Sequence, residues 1–170
     1  MNINKHISDV NPDWSREHKT FFSWNPSKSL LATIRTYQKY KDSRWLYLIA
    51  KFAVLRHIFW STATGAEIPI NCNIGGGLLM PHPNGIVIHT DTIIGPNCLI
   101  FQQVTIGTTN GIDAPIISGH VDIGAGAKVL GGIRIGAHAK IGANAVVLSD
   151  VPAGKTAIGI PAKFKKLKMQ

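Results

Sequence analysis

The sequence predicts a mainly β protein: a parallel β-helix of six-residue repeats preceded by a short α-helical region. Three observations carry that expectation. Aliphatic anchors recur every sixth residue, at Ile68, Ile74, Met80 and Ile86, then at Ile88, Ile94, Ile100 and Ile106, and again at Ile117, Ile123, Val129, Ile135, Ile141 and Val147. Four residues after an anchor stands a small or apolar residue, as at Cys72, Cys98, Val104, Ala127, Ala139 and Ala145. Composition also changes abruptly, because residues 1–64 hold every Trp, every Tyr and four of the six Phe, whereas 65–160 are rich in Gly, Ala, Ile and Val.

Six is not a helical period. It suits two-residue strands joined by tight corners, with the anchors pointing inward and each coil burying its apolar face only against its neighbours. Glycine follows the anchor at Ile74, Ile94, Ile106, Ile123, Ile135 and Ile141, where the chain must turn. The small fifth-position residue fits a crowded corner, which makes Cys72 and Cys98 corner fillers. The expected organisation is an α-helical region at 1–64, a β-helix at 65–160 and a basic tail at 161–170.

In the first region, Asn25-Pro26-Ser27 reads as a helix start with Pro in the first turn. Apolar residues then recur at helical spacing at Leu30, Leu31, Ile34 and Tyr37. A second helix is expected from Arg44 to about Thr62, with Trp45, Leu48, Ile49, Phe52, Leu55 and Phe59 on a broad apolar face, after a hinge at "KYKDSR". These are read as two packing helices, the basic and aromatic face also being able to touch a membrane surface.

The formal charge is +9, from 18 Lys+Arg against 9 Asp+Glu. Such a charge attracts polyanions: nucleic acid, anionic lipid or a phosphorylated small molecule. Nucleic acid is set aside, since basic and aromatic residues do not interleave on a recognisable platform. The apolar run from Trp45 to Trp60 is too short to span a bilayer and is broken by Lys51, Arg56 and His57. With no apolar secretory core at the start, the expectation is a cytoplasmic chain. Histidines and cysteines lack ligand spacing, so no metal is expected. His89, His120 and His138 read as solvated turn residues.

Two departures from the six-residue count draw attention: a two-residue shift at Gly85–His89 and the loop Gly107–Pro115. Just before the shift, "LMPHPNG" frames His82 between Pro81 and Pro83, each of which fixes φ and removes a backbone donor. A stiffly held imidazole, with an unperturbed pKa near working pH, suits general-base chemistry on a hydroxyl.

The repeats, with "IGAGAKVLGGIRIG" and "VPAGKTAIGIPAK" near the end, resemble the hexapeptide-repeat acyltransferases, and within them the serine acetyltransferase branch, over roughly residues 45–164. The resemblance implies a left-handed β-helix, assembly as a homotrimer, and acetyl-CoA as donor in a groove between neighbouring β-helices. It makes His82, in "PHPNGIVI", the base that activates the acceptor hydroxyl, and Glu67, in "GAEIPINCNIG" fifteen residues earlier, its acidic partner. With about eighteen residues to a coil by the six-residue count, that spacing is expected to bring the two near each other on adjacent coils. It also implies donor contacts from Gly142, Ala143, Gly159, Ile160 and Pro161. Gly124 and Ala125 are small enough to serve likewise, though corner geometry explains them as well. The basic cluster Lys155, Lys163, Lys165 and Lys166 reads either as attraction for the donor's phosphates or as a solvated tail, and a backbone N–H near Gly107 is the expected oxyanion donor.

Pro81, Asn84 and Asp113 are the residues expected to line the acceptor. Here the chain departs from the branch: Pro81 stands where an aspartate precedes the catalytic histidine, and Asp113-Ala114-Pro115 replaces Arg-His-Pro. Glutamate at 67, instead of aspartate, resembles sugar-modifying relatives of polysaccharide biosynthesis. These departures lead to a sugar hydroxyl as the expected acceptor, with serine the alternative and a non-catalytic scaffold more remote.

Overall fold

The computed structural model describes residues 7–20, 23–109 and 113–164. Two helices, α1 (Pro26–Tyr40) and α2 (Tyr47–Thr64), precede a three-faced left-handed β-helix. The first face stacks Asn73–Ile74, Ile93–Ile94, Ile116–Ile117 and Arg134–Ile135 in parallel. The second stacks Leu99–Ile100, Asp122–Ile123, Lys140–Ile141 and Thr156–Ile158, with Lys163–Phe164 folding back antiparallel on the last. The third stacks Val87–Ile88, Thr105–Gly107, Lys128–Leu130 and Val146–Val147.

Every six-residue anchor is buried, and so are the fifth-position residues Cys72, Cys98, Val104, Ala127, Ala139 and Ala145. Fully burying one aliphatic side chain is worth about 1.5–3 kcal/mol, so the ladder of anchors is the main cohesive term. Cys98 Sγ lies 3.3 Å from the Ser118 carbonyl and Cys72 Sγ 3.6 Å from that of Thr92. Burial pushes both thiols up to about 11, as expected of corner fillers. Coil length follows the interruptions. The uninterrupted coil pairs Ile117 with Ile135, the coil with the two-residue shift pairs Ile74 with Ile94, and the coil with the long loop pairs Ile94 with Ile117.

α1 begins where Asn25 caps it, its side chain accepting from the Lys28 N–H at 3.2 Å. The helix covers the open end of the β-helix. Leu30, Leu31 and Ile34 join the core with Ala66 and Ile68, while Arg35 donates to the Ile74 and Gly75 carbonyls and Gln38 to that of Cys72. A raw β edge is thereby paired. α2 packs on α1 through Ala50 and Ala53 and stops at Gly65, whose φ of 63° closes the helix. The apolar face expected to be buried on α2 is instead exposed at Trp45, Leu48, Phe52, Leu55 and Phe59. The small alanines allow the close approach, and the large residues point away from it.

Residues 8–19 form a strap across the first corner, the one between the first and second faces. Asn97, held at φ 62°, accepts from the Asp13 N–H at 2.7 Å and donates to the Ser8 and Asn11 carbonyls. On the same corner the His120 and His138 rings meet, Nδ1 to Nδ1 at 2.7 Å. They are turn residues as expected, but bonded to each other, because successive coils stack them.

Candidate active site

His82 lies in the second corner, between the bridge of Leu79 to Leu99 and the strand Val87–Ile88. Its exposed ring opens into a cleft of about 530 Å³. Three segments wall it: the approach to α1 (Trp24 to Ser27), the end of α2 (Ala63 and Thr64) and the corner itself (Pro81 to Asn84). Pro81 and Asn84 thus stand beside His82. The wall from α1 was not anticipated from sequence. Asn25-Pro26-Ser27 announces only a helix start, and nothing local connects residue 25 to residue 82.

Glu67 is placed differently. It forms a parallel bridge with Val87, twenty residues on, because this coil carries the two-residue shift. Its N–H donates to the Ile86 carbonyl at 2.8 Å, and its side chain points outward between buried Ala66 and Ile68. Fifteen residues ahead therefore falls short of the strand and lands in the corner. Among the described residues no hydrogen bond or ion pair joins Glu67 to His82. The longer coil sets Val87, and not His82, directly across from Glu67.

The small residues expected to line the donor gather on the second corner, on the same side as His82. The Gln103 N–H donates to the Asn84 carbonyl, Asn144 to Ala125, and Val146 to Gly159. A Cβ added at Gly124 would lie 2.6 Å from the Ala143 nitrogen, and one at Gly142 would lie 2.7 Å from Ile158 Cγ2. The corner is therefore a close stack in which Asn84, Gln103, Ala125, Ala143 and Gly159 follow one another coil by coil. At about 4.8 Å per coil the line runs roughly 19 Å from Asn84 to Gly159. Ile160 and Pro161 extend its far end, Ile160 being well exposed, and Lys163 sits exposed on the final strand.

Gly107 and Asp113 lie elsewhere. Gly107 ends a strand of the third face, opposite Leu130, with its carbonyl accepting from Gly131. Asp113 bridges Thr109 at the base of the long loop, over Gly132. Both belong to the third corner, across the third face from His82, so one chain does not bring them to the imidazole. Lys155 stands on the first corner, its N–H bonded to Pro152. Lys165 and Lys166, and with them the tail beyond residue 164, lie outside the described residues.

No family model matches the chain. Serine acetyltransferase of Staphylococcus aureus is 39% identical over 161 residues, covering 87% of this chain and 75% of that protein. The enzyme of that name from Helicobacter pylori is 50% identical over 103 residues, covering 59% of this chain and 60% of its own length. The one from Synechococcus elongatus is 46% identical over 103 residues, 59% of this chain and 42% of that protein. The chain thus spans about half the length of several curated relatives it matches. Among solved structures, soybean serine acetyltransferase superposes with a TM-score of 0.71 at 34% identity, covering 82% of this chain and 57% of that one. A serine acetyltransferase in complex with CoA superposes at 0.69 and 34%, covering 84% and 57%.

These relatives, all serine acetyltransferases, overturn the expectation of a sugar acceptor. That expectation rested on two missing groups, at Pro81 and in the loop at Asp113-Ala114. Missing groups do not exclude a substrate when another wall, here the start of α1, closes the same cleft. The chain belongs to the serine acetyltransferase family.

Proposed function

We propose that this chain transfers the acetyl group of acetyl-CoA to the hydroxyl of L-serine, with His82 as general base. The observation that carries the reading is the alignment of the His82 cleft with the line of small residues on one corner, in a chain whose relatives are serine acetyltransferases. A neighbouring soybean structure was solved with serine and another neighbour with CoA. Small side chains let an extended pantetheine arm approach the backbone, and the line is long enough to carry it away from His82. Exposed Lys163 lies near its far end, where phosphates gain from positive charge, as they do from the +9 balance of the whole chain.

In the reaction the His82 imidazole accepts the serine hydroxyl proton as the oxygen attacks the thioester carbonyl. The tetrahedral oxyanion collapses, the C–S bond breaks, and the imidazolium returns its proton to the departing CoA sulfur. Glu67, on the adjoining coil, is the acid we assign to balance the imidazolium. Because Gly107 and Asp113 occupy the third corner, they serve the cleft only if a neighbouring copy presents that corner to His82. A homotrimer with three equivalent sites is the assembly in which a neighbouring copy would do so.

The test is CoA release from acetyl-CoA with and without L-serine, with the product identified as O-acetylserine. His82→Ala is expected to lower kcat about a hundredfold or more without loss of folding, since the side chain is exposed. Glu67→Gln is expected to lower kcat with the serine KM little changed, and Glu67→Asp to recover part of it. Absence of serine-dependent CoA release, or wild-type turnover in His82→Ala, refutes the assignment.

A further inference from the structure

The outer surface of α2 is unlike the rest of the molecule. Leu48, Phe52, Leu55 and Phe59 are spaced by four, three and four residues, which aligns them in one stripe along the helix. They are 79%, 61%, 65% and 58% exposed, and Trp45, at the helix approach, is 92% exposed. The stripe faces directly away from Ala50 and Ala53, which are buried on the inner side. At about 100° per residue, Lys51 falls roughly 60° to one side of Leu48 and Arg56 roughly 80° to the other. Cations therefore border an apolar stripe on both flanks. Residues 39–64 carry Lys39, Lys41, Arg44, Lys51 and Arg56 against a single acid, Asp42.

We propose that α2 docks this chain on an anionic lipid surface, lying in the plane of the interface. The charge pattern selects that occupant. A second copy laid face to face would set two rows of Lys and Arg against each other with only Asp42 to compensate, whereas anionic headgroups complement the same cations. A cluster of this size, at about fivefold in affinity per cation, is enough for reversible attachment when joined to buried Phe and Leu. The helix lies on the surface: among the described residues, none is long and apolar enough to cross a membrane. Docking sets the catalytic cleft near the interface. Phe59 packs edge-on to Trp60 with centroids 5.0 Å apart, Trp60 meets Trp24 at 5.5 Å, and Trp24 walls the His82 cleft.

The experiment is co-sedimentation of the full chain with vesicles of phosphatidylcholine alone, or with phosphatidylglycerol as about a third of the lipid. Trp emission is followed in parallel, and the mass of the lipid-free protein is measured by light scattering. Binding is expected only to the anionic vesicles, with a blue shift, and weakening as salt rises. F52Q/L55Q is expected to weaken binding about tenfold or more, and K51E/R56E to abolish the preference for anionic lipid. F52Q/L55Q alters exposed residues and K51E/R56E an exposed and a half-buried one, none of them at the cleft, and both variants are expected to keep the wild-type circular dichroism and CoA-release activity. Failure of the wild type to bind anionic vesicles, or binding that neither variant disturbs, overturns the proposal. So does an assembly that falls to a smaller species in F52Q/L55Q, which would show that a second copy covers the stripe.

Discussion

Replacing Glu17 by alanine should detach the strap from the β-helix and destabilise the whole chain. The Glu17 carboxylate is 9% exposed and accepts four N–H bonds: from Gly77 at 2.7 Å, from Leu78 at 3.1 Å, and from Arg35 through Nη2 at 2.8 Å and Nε at 3.1 Å. In Glu17→Ala the Gly77 and Leu78 N–H groups lose their carboxylate, at about 1–3 kcal/mol for each group left unsatisfied. Arg35 loses its counter-charge, but it keeps the Ile74 and Gly75 carbonyls at 2.5 and 2.7 Å. That places the total below the upper range for a broken buried pair, at about 3–4 kcal/mol. Glu17→Gln retains an acceptor for Gly77 and Leu78 and forfeits only the bidentate pairing, at about 1–2 kcal/mol. In thermal unfolding at one protein concentration, the alanine variant should melt roughly 10 °C below wild type and the glutamine variant in between. Arg35 also anchors α1, whose approach walls the His82 cleft, so the serine KM in Glu17→Ala should rise before kcat falls. An alanine variant within about 0.5 kcal/mol of wild type, or a glutamine variant as damaged as alanine, would refute the clamp.

Ala143→Trp sets a large ring on an exposed position of the second corner. It should raise the KM for acetyl-CoA about tenfold or more while leaving the serine KM and the melting curve near wild type; an unchanged KM for acetyl-CoA would remove that corner from the donor path. Burial holds the Cys72 and Cys98 thiols at about 11, against 9.0 in the unfolded chain. Above pH 9 the unfolded chain therefore releases protons first, and stability falls as pH climbs toward 11, by up to about 3 kcal/mol per cysteine. Urea midpoints of wild type and Cys98→Ala between pH 8 and 10 should show a shallower decline in the variant, and parallel declines would contradict the assignment.

Much of the candidate site was legible because its signals are local. The frame of Pro81 and Pro83 marks His82 within three residues, and the stack of Gly124, Ala125, Gly142 and Ala143 follows once the coil count is known. Residues beside His82 and in the loop mislead about the acceptor, because they make up only part of the cleft. The cleft wall from Trp24 to Ser27 comes from the other end of the chain.

What the sequence by itself determined is the coil. An aliphatic anchor every sixth residue with a small residue four places on admits one inward face, and repetition leaves each coil no partner but the next. All fourteen anchors, from Ile68 to Val147, are accordingly buried. Only the tertiary structure decided the register between Glu67 and Val87, the path of the strap over Asn97, the cover that α1 lays on the open edge, and which side of α2 faces outward. Apolar residues run almost all round α2, so its periodicity does not choose a side. The choice falls to Ala50 and Ala53, because only small side chains let the two helix backbones come close. Contacts such as Glu17 with Leu78, or Asn25 in one cleft with His82, join segments about sixty residues apart, a separation that no local periodicity encodes.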